Sequence, residues 1–359
     1  MLKTFKFLSK KQKILVIFML LLYIAAWGVL GLVLGKRSVP VAAIGSYDNK
    51  NAPKIADTPN PINGILYTKD EAKIWANNLP LAVVIENSTD ARPQTGLTNA
   101  DIVYETLAEG GITRLTAVFL ANDSDLGPVR SNRPYFLDWV SEYGAGYAHV
   151  GGSPLGQQLV KDYGIKDLDQ FYLGSPTYER ISSRPAPHNV YTTTKKLRDA
   201  ASGKGYKGPV KIDSWLFADS EAPVSERPKT FTISLGFLGA GGYDVTWTYD
   251  SNSNTYLRTN GGDKFIDAGN NQQIAAKNIL VQYVQIRDEG SGHGRILVQN
   301  EGSGDAVVFR DGLAIVGGWK KDGRTSRTRF YDKDNKEITL NRGQIWVEAV
   351  PTGSTVTYK

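Results

Sequence analysis

The sequence predicts an α+β multidomain protein: an N-terminal α/β domain and a mainly β C-terminal domain, after one transmembrane helix. Three observations predict it. Residues 14–34 form an uncharged apolar run. From Leu66 to about Gly208, short apolar runs alternate with helical stretches. After the proline-bearing crossing Ala222 to Pro228, strand-like segments separated by turn clusters take over.

The apolar run comes first in the chain. Ile14 to Leu34 holds 21 residues without a charge. At ~1.5 Å per residue it spans ~31 Å as a helix, which matches the ~30 Å hydrocarbon core of a bilayer. Lys3, Lys6, Lys10, Lys11 and Lys13 precede it, against Lys36 and Arg37 after it. The basic excess stays cytoplasmic, so residues 1–13 are expected inside the cell and the bulk of the chain outside. The alternative is a cleaved secretory signal ending at Val41-Ala42-Ala43, although signal cores are usually shorter, roughly 7 to 15 residues. Either way the protein is exported.

Net charge points away from nucleic acid once it is located. The formal charge is +6, but residues 1–37 hold seven basic and no acidic residues, leaving 35 basic and 36 acidic in the remainder. Nucleic-acid binding is therefore not expected. The absence of cysteine excludes a disulfide framework, a thiolate zinc site and a lipidated cysteine.

Residues 35–63 read as a flexible linker, because Pro40, Pro53, Pro59 and Pro61 break every periodic pattern. The α/β domain is expected over 64–225. Its strands include Leu81 to Ile85, Leu115 to Leu120 and Tyr147 to Val150, and its helices Tyr135 to Tyr143, Leu155 to Tyr163 and Thr194 to Ala201. The β domain, 226–359, has strands at Tyr243 to Tyr249, Thr255 to Arg258, Ile279 to Arg287, Ile296 to Gln299, Val307 to Arg310, Leu313 to Val316 and Ile345 to Val350. Trp247, Trp319 and Trp346, with Tyr243, Tyr249 and Tyr256, read as core or cross-strand pairs before they read as a sugar platform.

Polar residues crowd the ends of the first domain's strands, where ligands bind in open α/β sheets. Glu86, Asp101, Glu105 and Glu109 are candidate acids or bases, and either Glu105 or Glu109 can instead pair with Arg114 to pin a turn. Gly127-Pro128-Val129-Arg130-Ser131-Asn132-Arg133-Pro134 precedes a helix, with Ser131 or Asn132 suited to its N-cap. Arg130 and Arg133 beside that helix start are expected to form an anion pocket. Gly151-Gly152-Ser153-Pro154 is a second strand-turn-helix junction with Ser153 as cap and Pro154 at the first helical position. It lacks the second glycine of a nucleophile elbow, because Leu155 stands in that position. His149 and His188 could act as acid or base near neutral pH, and the prolines around His188 stiffen its loop. His293, in a glycine-rich hairpin, is expected to face solvent. Two histidines and scattered carboxylates make no recognised metal spacing, so neither a metal nor a cofactor is expected.

These same residues carry a family resemblance. Ala91-Arg92-Pro93-Gln94-Thr95-Gly96-Leu97, Ala100-Asp101-Ile102-Val103-Tyr104-Glu105, Glu109-Gly110-Gly111-Ile112-Thr113-Arg114, Gly127 to Ser131, Arg133-Pro134-Tyr135-Phe136, Gly151 to Pro154 and Ala186-Pro187-His188-Asn189 resemble the YerB-like bacterial proteins, as does Gly343-Gln344-Ile345-Trp346-Val347. The resemblance covers about residues 60 to 355. It implies a two-domain α/β plus β surface protein, many of whose relatives look like lipoproteins, and it names no reaction because the family is one of unknown function. Here the apolar span would replace the lipid.

Two functions are expected from these features. The first is an extracytoplasmic accessory protein of the bacterial envelope that binds an anionic ligand, such as a cell-wall polymer or an envelope-synthesis partner. Its binding residues would be Arg92, Arg114, Arg130, Ser131, Arg133, Gly151, Gly152, Ser153 and Asn189. The second is a hydrolase of envelope glycans or phosphodiesters that uses the carboxylates, with Arg114 or Arg130 stabilising developing charge.

Overall fold

Leu81–Glu86, Ile102–Leu107 and Thr113–Phe119 are strands buried along their whole length. Both of their faces are covered, so they read as continuous apolar runs instead of alternating ones. Thr113–Phe119 runs antiparallel between the other two. Gly146–His149 adds to Leu81–Glu86 in parallel, and Lys166–Asp169 adds to it in turn. The helices between these strands start where the sequence caps them. Ser153 Oγ accepts from the Gly156 amide ahead of Pro154–Asp162, and Thr193 does the same for Lys196 ahead of Thr194–Gly203.

The computed structural model describes residues 9–11 and 55–359. The span expected at 14–34 and the possible cleavage site after Ala43 lie outside the described residues. Among the described residues no helix is long and apolar enough to cross a membrane.

The second half is mainly β and joins the first through one sheet. Ile345–Pro351 pairs in parallel with both Ile102–Leu107 and Asn278–Val284, with Val347 beside Tyr104 on one side and Leu280 on the other. Gly302–Arg310, Leu313–Lys321 and Arg329–Asp332 continue outward as an antiparallel meander, giving ten strands in all. The boundary expected at 225/226 therefore marks a change of texture along the chain and not a gap between folded bodies. Residues 55–359 form a single contact unit.

A second sheet, built on Thr232–Leu235, Val245–Asp250 and Thr255–Asn260, lies over one face of the large sheet. There Ile233, Trp247 and Tyr256 pack with Val281, Phe309 and Trp346. On the opposite face the helix Phe136–Glu142 presses Phe136 and Trp139 into Tyr104, Val118 and Leu280. Alternating burial in the second sheet, against continuous burial in the large one, follows from this layering.

The linker ends earlier than expected. Thr58–Pro59 pairs with Leu66–Tyr67, and Ile62 is fully buried. Asn60 and Asn63 each place a side-chain amide on Asp101 Oδ1, at 2.8 and 2.6 Å. Prolines that break periodicity here shape a fixed turn.

Candidate functional site

Glu86, Leu107 and His149 finish strands that run in the same direction, so the residues that follow them gather at one end of the large sheet. Asp101, ahead of Ile102, lies at the other end. A six-residue strand separates the two ends by about 20 Å.

Glu86 is the hub at the first end. Its Oε1 receives the Ser88 hydroxyl at 3.0 Å and lies 3.0 Å from His188 Nδ1 and 3.2 Å from Arg130 Nε. Its Oε2 is buried without a partner. The segment holding Arg130 is fixed beside this strand, because the Arg130 amide donates to Val84 O and the Glu86 amide to Pro128 O. His188 arrives on the Pro185-Ala186-Pro187 loop, and its Nε2 lies 4.0 Å from the exposed carboxylate of Asp90.

Three guanidinium groups converge here. Arg114 is the cross-strand neighbour of Glu86 and donates to Ser131 O at 3.2 Å. Arg133 forms a two-pronged pair with Glu109 and also reaches Asn132 O at 2.6 Å. Burial, then the positive charges of Arg133 and Arg130, pull Arg114 down to about 10. Burial works to raise the Glu109 carboxyl, but the hydrogen bond and charge of Arg133 outweigh it and hold the group below its ordinary range. The Arg130 side chain has one ion pair, with Glu86, and no further hydrogen bond among the described residues. Glu86 and Glu109 oppose the three arginines from within, and the exposed Asp90 carboxylate lies at the margin beside His188.

The turn Gly151-Gly152-Ser153 sits beside this cluster. The Asn132 amide donates to Gly151 O, and Tyr147 OH holds Asn132 Oδ1 at 2.8 Å. Gly151 adopts φ +52°, and a Cβ there would meet the Phe171 ring at 2.5 Å. Phe171 and its neighbour Tyr172 are 70% and 69% exposed, and the Phe171 ring lies against the Gly151 turn.

Several expected site residues are spoken for by the fold. Asp101 is sealed, takes the Leu120 amide at 2.6 Å besides Asn60 and Asn63, and burial raises it to about 6. Glu105 is fully buried in an ion triad: Arg258 bonds Glu105 on one side and Glu348 at 2.7 Å on the other. Thr113, Asn87 and Trp247 complete that triad, and the Arg258 guanidinium lies 4.5 Å from the Trp346 ring centre. His149 is also sealed, with Nδ1 on Gly151 O at 2.9 Å and Nε2 on Asp167 at 3.1 Å. All three are fully buried, with their polar atoms bonded inside the protein.

Arg92 uses its donors on Asn87 and Gly242 O and lies over Tyr243, fastening the two halves together. Asn189 ties Arg180 to Ile181 O within its loop. Ser131 and Asn132 do not cap the following helix, which starts after Tyr135 with no side-chain cap and is only seven residues long. The helix start therefore adds nothing to the arginine cluster, whose members sit at the sheet end. Ser153 is the helix cap the sequence indicated.

Ser88 and Asp90 were missed because they fall in a polar turn with no recognisable motif. Trp247, Trp346, Tyr249 and Tyr256 are core residues, in line with the cross-strand reading, and His293 is exposed. Among the described residues no group of three or more histidines and carboxylates could hold a metal ion. A cavity of 440 Å³, lined by Thr98, Asp123, Asp125, Thr194, Lys195 and Asn270 among others, lies apart from the arginine cluster.

The shared sheet, the helix-bearing first half and the β-rich second half define a two-domain protein whose domains are fused through parallel pairing. Residues 66–207 match the model described as protein of unknown function (DUF3048), N-terminal domain, and residues 233–347 match its C-terminal domain. The chain belongs to this family. It is 30% identical over 298 residues to the Bacillus subtilis (strain 168) protein named "Putative lipoprotein YerB", covering 81% of this chain and 86% of that one. The crystal structure of YerB from Bacillus subtilis superposes with a TM-score of 0.74 at 27% identity, covering 84% of this chain and all of that one.

Proposed function

We propose that the chain is a membrane-tethered, extracytoplasmic protein of the bacterial envelope whose sheet-end arginines bind an anionic ligand. The observation that carries this reading is Arg130. It is held in place by backbone pairing on both flanks, has one carboxylate partner and leaves its other donors unused. Guanidinium groups bind phosphate or carboxylate in a forked geometry, and Arg114 and Arg133 sharpen the field around it. The exposed rings of Phe171 and Tyr172 give a polymer or a partner an apolar surface beside the charge.

The tether rests on the 21-residue apolar run, and the name of the Bacillus relative supports membrane association. Envelope polymers rich in phosphate, or an acidic segment of an envelope-synthesis protein, fit the charge. Hydrolysis fits less well. Glu86 and Ser88 both approach Nδ1 of His188, at 3.0 and 3.3 Å, and the Asp90 carboxylate on the Nε2 side stands at 4.0 Å, beyond the hydrogen bond that a relay needs.

Inorganic polyphosphate is the first probe. It should raise the melting temperature of the full chain, and Arg130→Ala should remove the rise, measured against the variant's own unliganded melting temperature, which loss of the Glu86 ion pair lowers. A rise that survives Arg130→Ala overturns the reading. Protease added to intact protoplasts should digest the bulk of the chain, and survival until lysis would overturn the topology.

A further inference from the structure

Gln282 pairs with Ala306, so their neighbours Tyr283 and Asp305 lie side by side. Asp305 pairs with Gly318, and Gly318 with Tyr331. Tyr283, Asp305, Gly318 and Tyr331 thus make one row across four adjacent strands, about 14 Å long at ~4.8 Å per strand. The second sheet leaves this part of the face open: Val316, two residues before Gly318, is 43% exposed.

The row is flanked by connected depressions. One of 320 Å³ is lined by Tyr283, Gln285, Gln299 and Thr352, and one of 600 Å³ by Lys320, Tyr331 and Asn335. The two share Ser303, Gly304, Asp305 and Trp319. A third, of 370 Å³, continues past Gln285 and Gln299 to Arg287. Glycine keeps the middle bare: Gly318 stands in the row without a side chain, and a Cβ there would come 3.0 Å from Gly304 O.

The chemistry of this groove differs from that of the arginine cluster. The Asp305 carboxylate has no hydrogen bond or ion pair among the described residues, and the lining mixes Asp305 and Asp332 with Arg287 and with Lys320, which is itself paired to Asp322 at 2.8 Å. Mixed signs without a cluster of either give a charged ligand no advantage. Its aromatic rings, side-chain amides and free carboxylate suit a ligand with apolar C–H faces, amides and hydroxyl donors.

We propose that this row and the depressions beside it bind an uncharged, N-acetylated glycan chain. Tyrosine rings stack on sugar faces, Asp305 accepts sugar hydroxyls, and Gln285, Gln299 and Asn335 meet the acetamido groups. The site is separate from the arginine cluster and stands whether or not that cluster binds anions.

Calorimetric titration of the full chain in detergent with chitotetraose tests this. Chitotetraose should bind, Tyr331→Ala and Asp305→Asn should each weaken binding by about tenfold, and Tyr331→Phe and Arg130→Ala should bind as the parent does. Asp305→Asn serves as the second variant should Tyr331→Ala fail to fold. The proposal is overturned if chitotetraose does not bind, or if Asp305→Asn binds it as tightly as the parent.

Discussion

Replacing Arg258 with methionine should strike the fold and not the candidate site. Arg258 is fully buried, bonds Glu105 and Glu348 at once, and lies over the rings of Trp346, Phe265 and Trp247. Methionine keeps much of the ring packing but leaves two carboxylates facing each other in a sealed interface. Breaking a buried pair in this way costs about 3–5 kcal/mol, or a melting temperature lower by about 6–10 °C at ~2 °C per kcal/mol for a chain of this size. The defect should depend on pH. In the parent, burial first and then the nearby Glu105 charge raise Glu348, to about 8, against the pull of Arg258. Without Arg258 the pair holds a proton more tightly folded than unfolded, so the variant gains stability as pH falls from 8 towards 5. Glu348→Gln added to Arg258→Met should recover about 1–2 kcal/mol, because one of the opposed charges is gone. Urea unfolding at several pH values measures all three quantities. A loss under 1 kcal/mol, or a double variant weaker than the single, would refute the assignment of Glu105 to structure.

Other perturbations separate the same roles. Glu86→Gln removes one carboxylate from the arginine cluster and should tighten polyphosphate binding by about three- to fivefold at low salt; weaker binding, read by fluorescence titration, would count against an anion site. Burial first, then the charge of Glu301, raises Asp138 to about 7, above its unfolded value, so its stabilising contribution is present below about pH 4 and lost as pH rises to 7. Asp138→Asn should therefore raise stability by about 1–2 kcal/mol at pH 8, after allowance for solvent screening, and leave it unchanged at pH 4; a gain at pH 4 would contradict this. Asp101→Asn places an amide against the donors of Asn60, Asn63 and Leu120 and should cost about 2–4 kcal/mol in thermal unfolding at pH 7.

Local features of the fold were legible wherever one short segment decides them. Val83-Val84-Ile85 and Leu115 to Leu120 read as strands because both faces are covered, and Ser153-Pro154 reads as a helix start because cap and first turn are adjacent. Fusion of the halves was not legible, since parallel pairing of Ile345–Pro351 with Ile102–Leu107 leaves no mark in either strand alone. The fate of each charged candidate turned on a distant partner. Glu105 meets Arg258 across 153 positions and Glu86 meets His188 across 102, and neither spacing follows a helical or strand period.

A closed set of partners is what divides structural charge from candidate site in this chain. Glu105, Asp101 and His149 lie on or beside strands of the same sheet as Glu86 and Arg130, and they looked equally suited to chemistry. Each of the three meets its hydrogen-bonding partners inside the protein, so a ligand could reach them only by breaking bonds that hold the sheet together. Glu86 is buried with one oxygen unpartnered, but the Arg130 side chain has a single carboxylate partner and stays 24% exposed, so an anion can add bonds to it without breaking any that hold the sheet. Asp305 meets the same test on the outer strands, which places the second candidate surface away from the charged one and gives it a ligand of different chemistry.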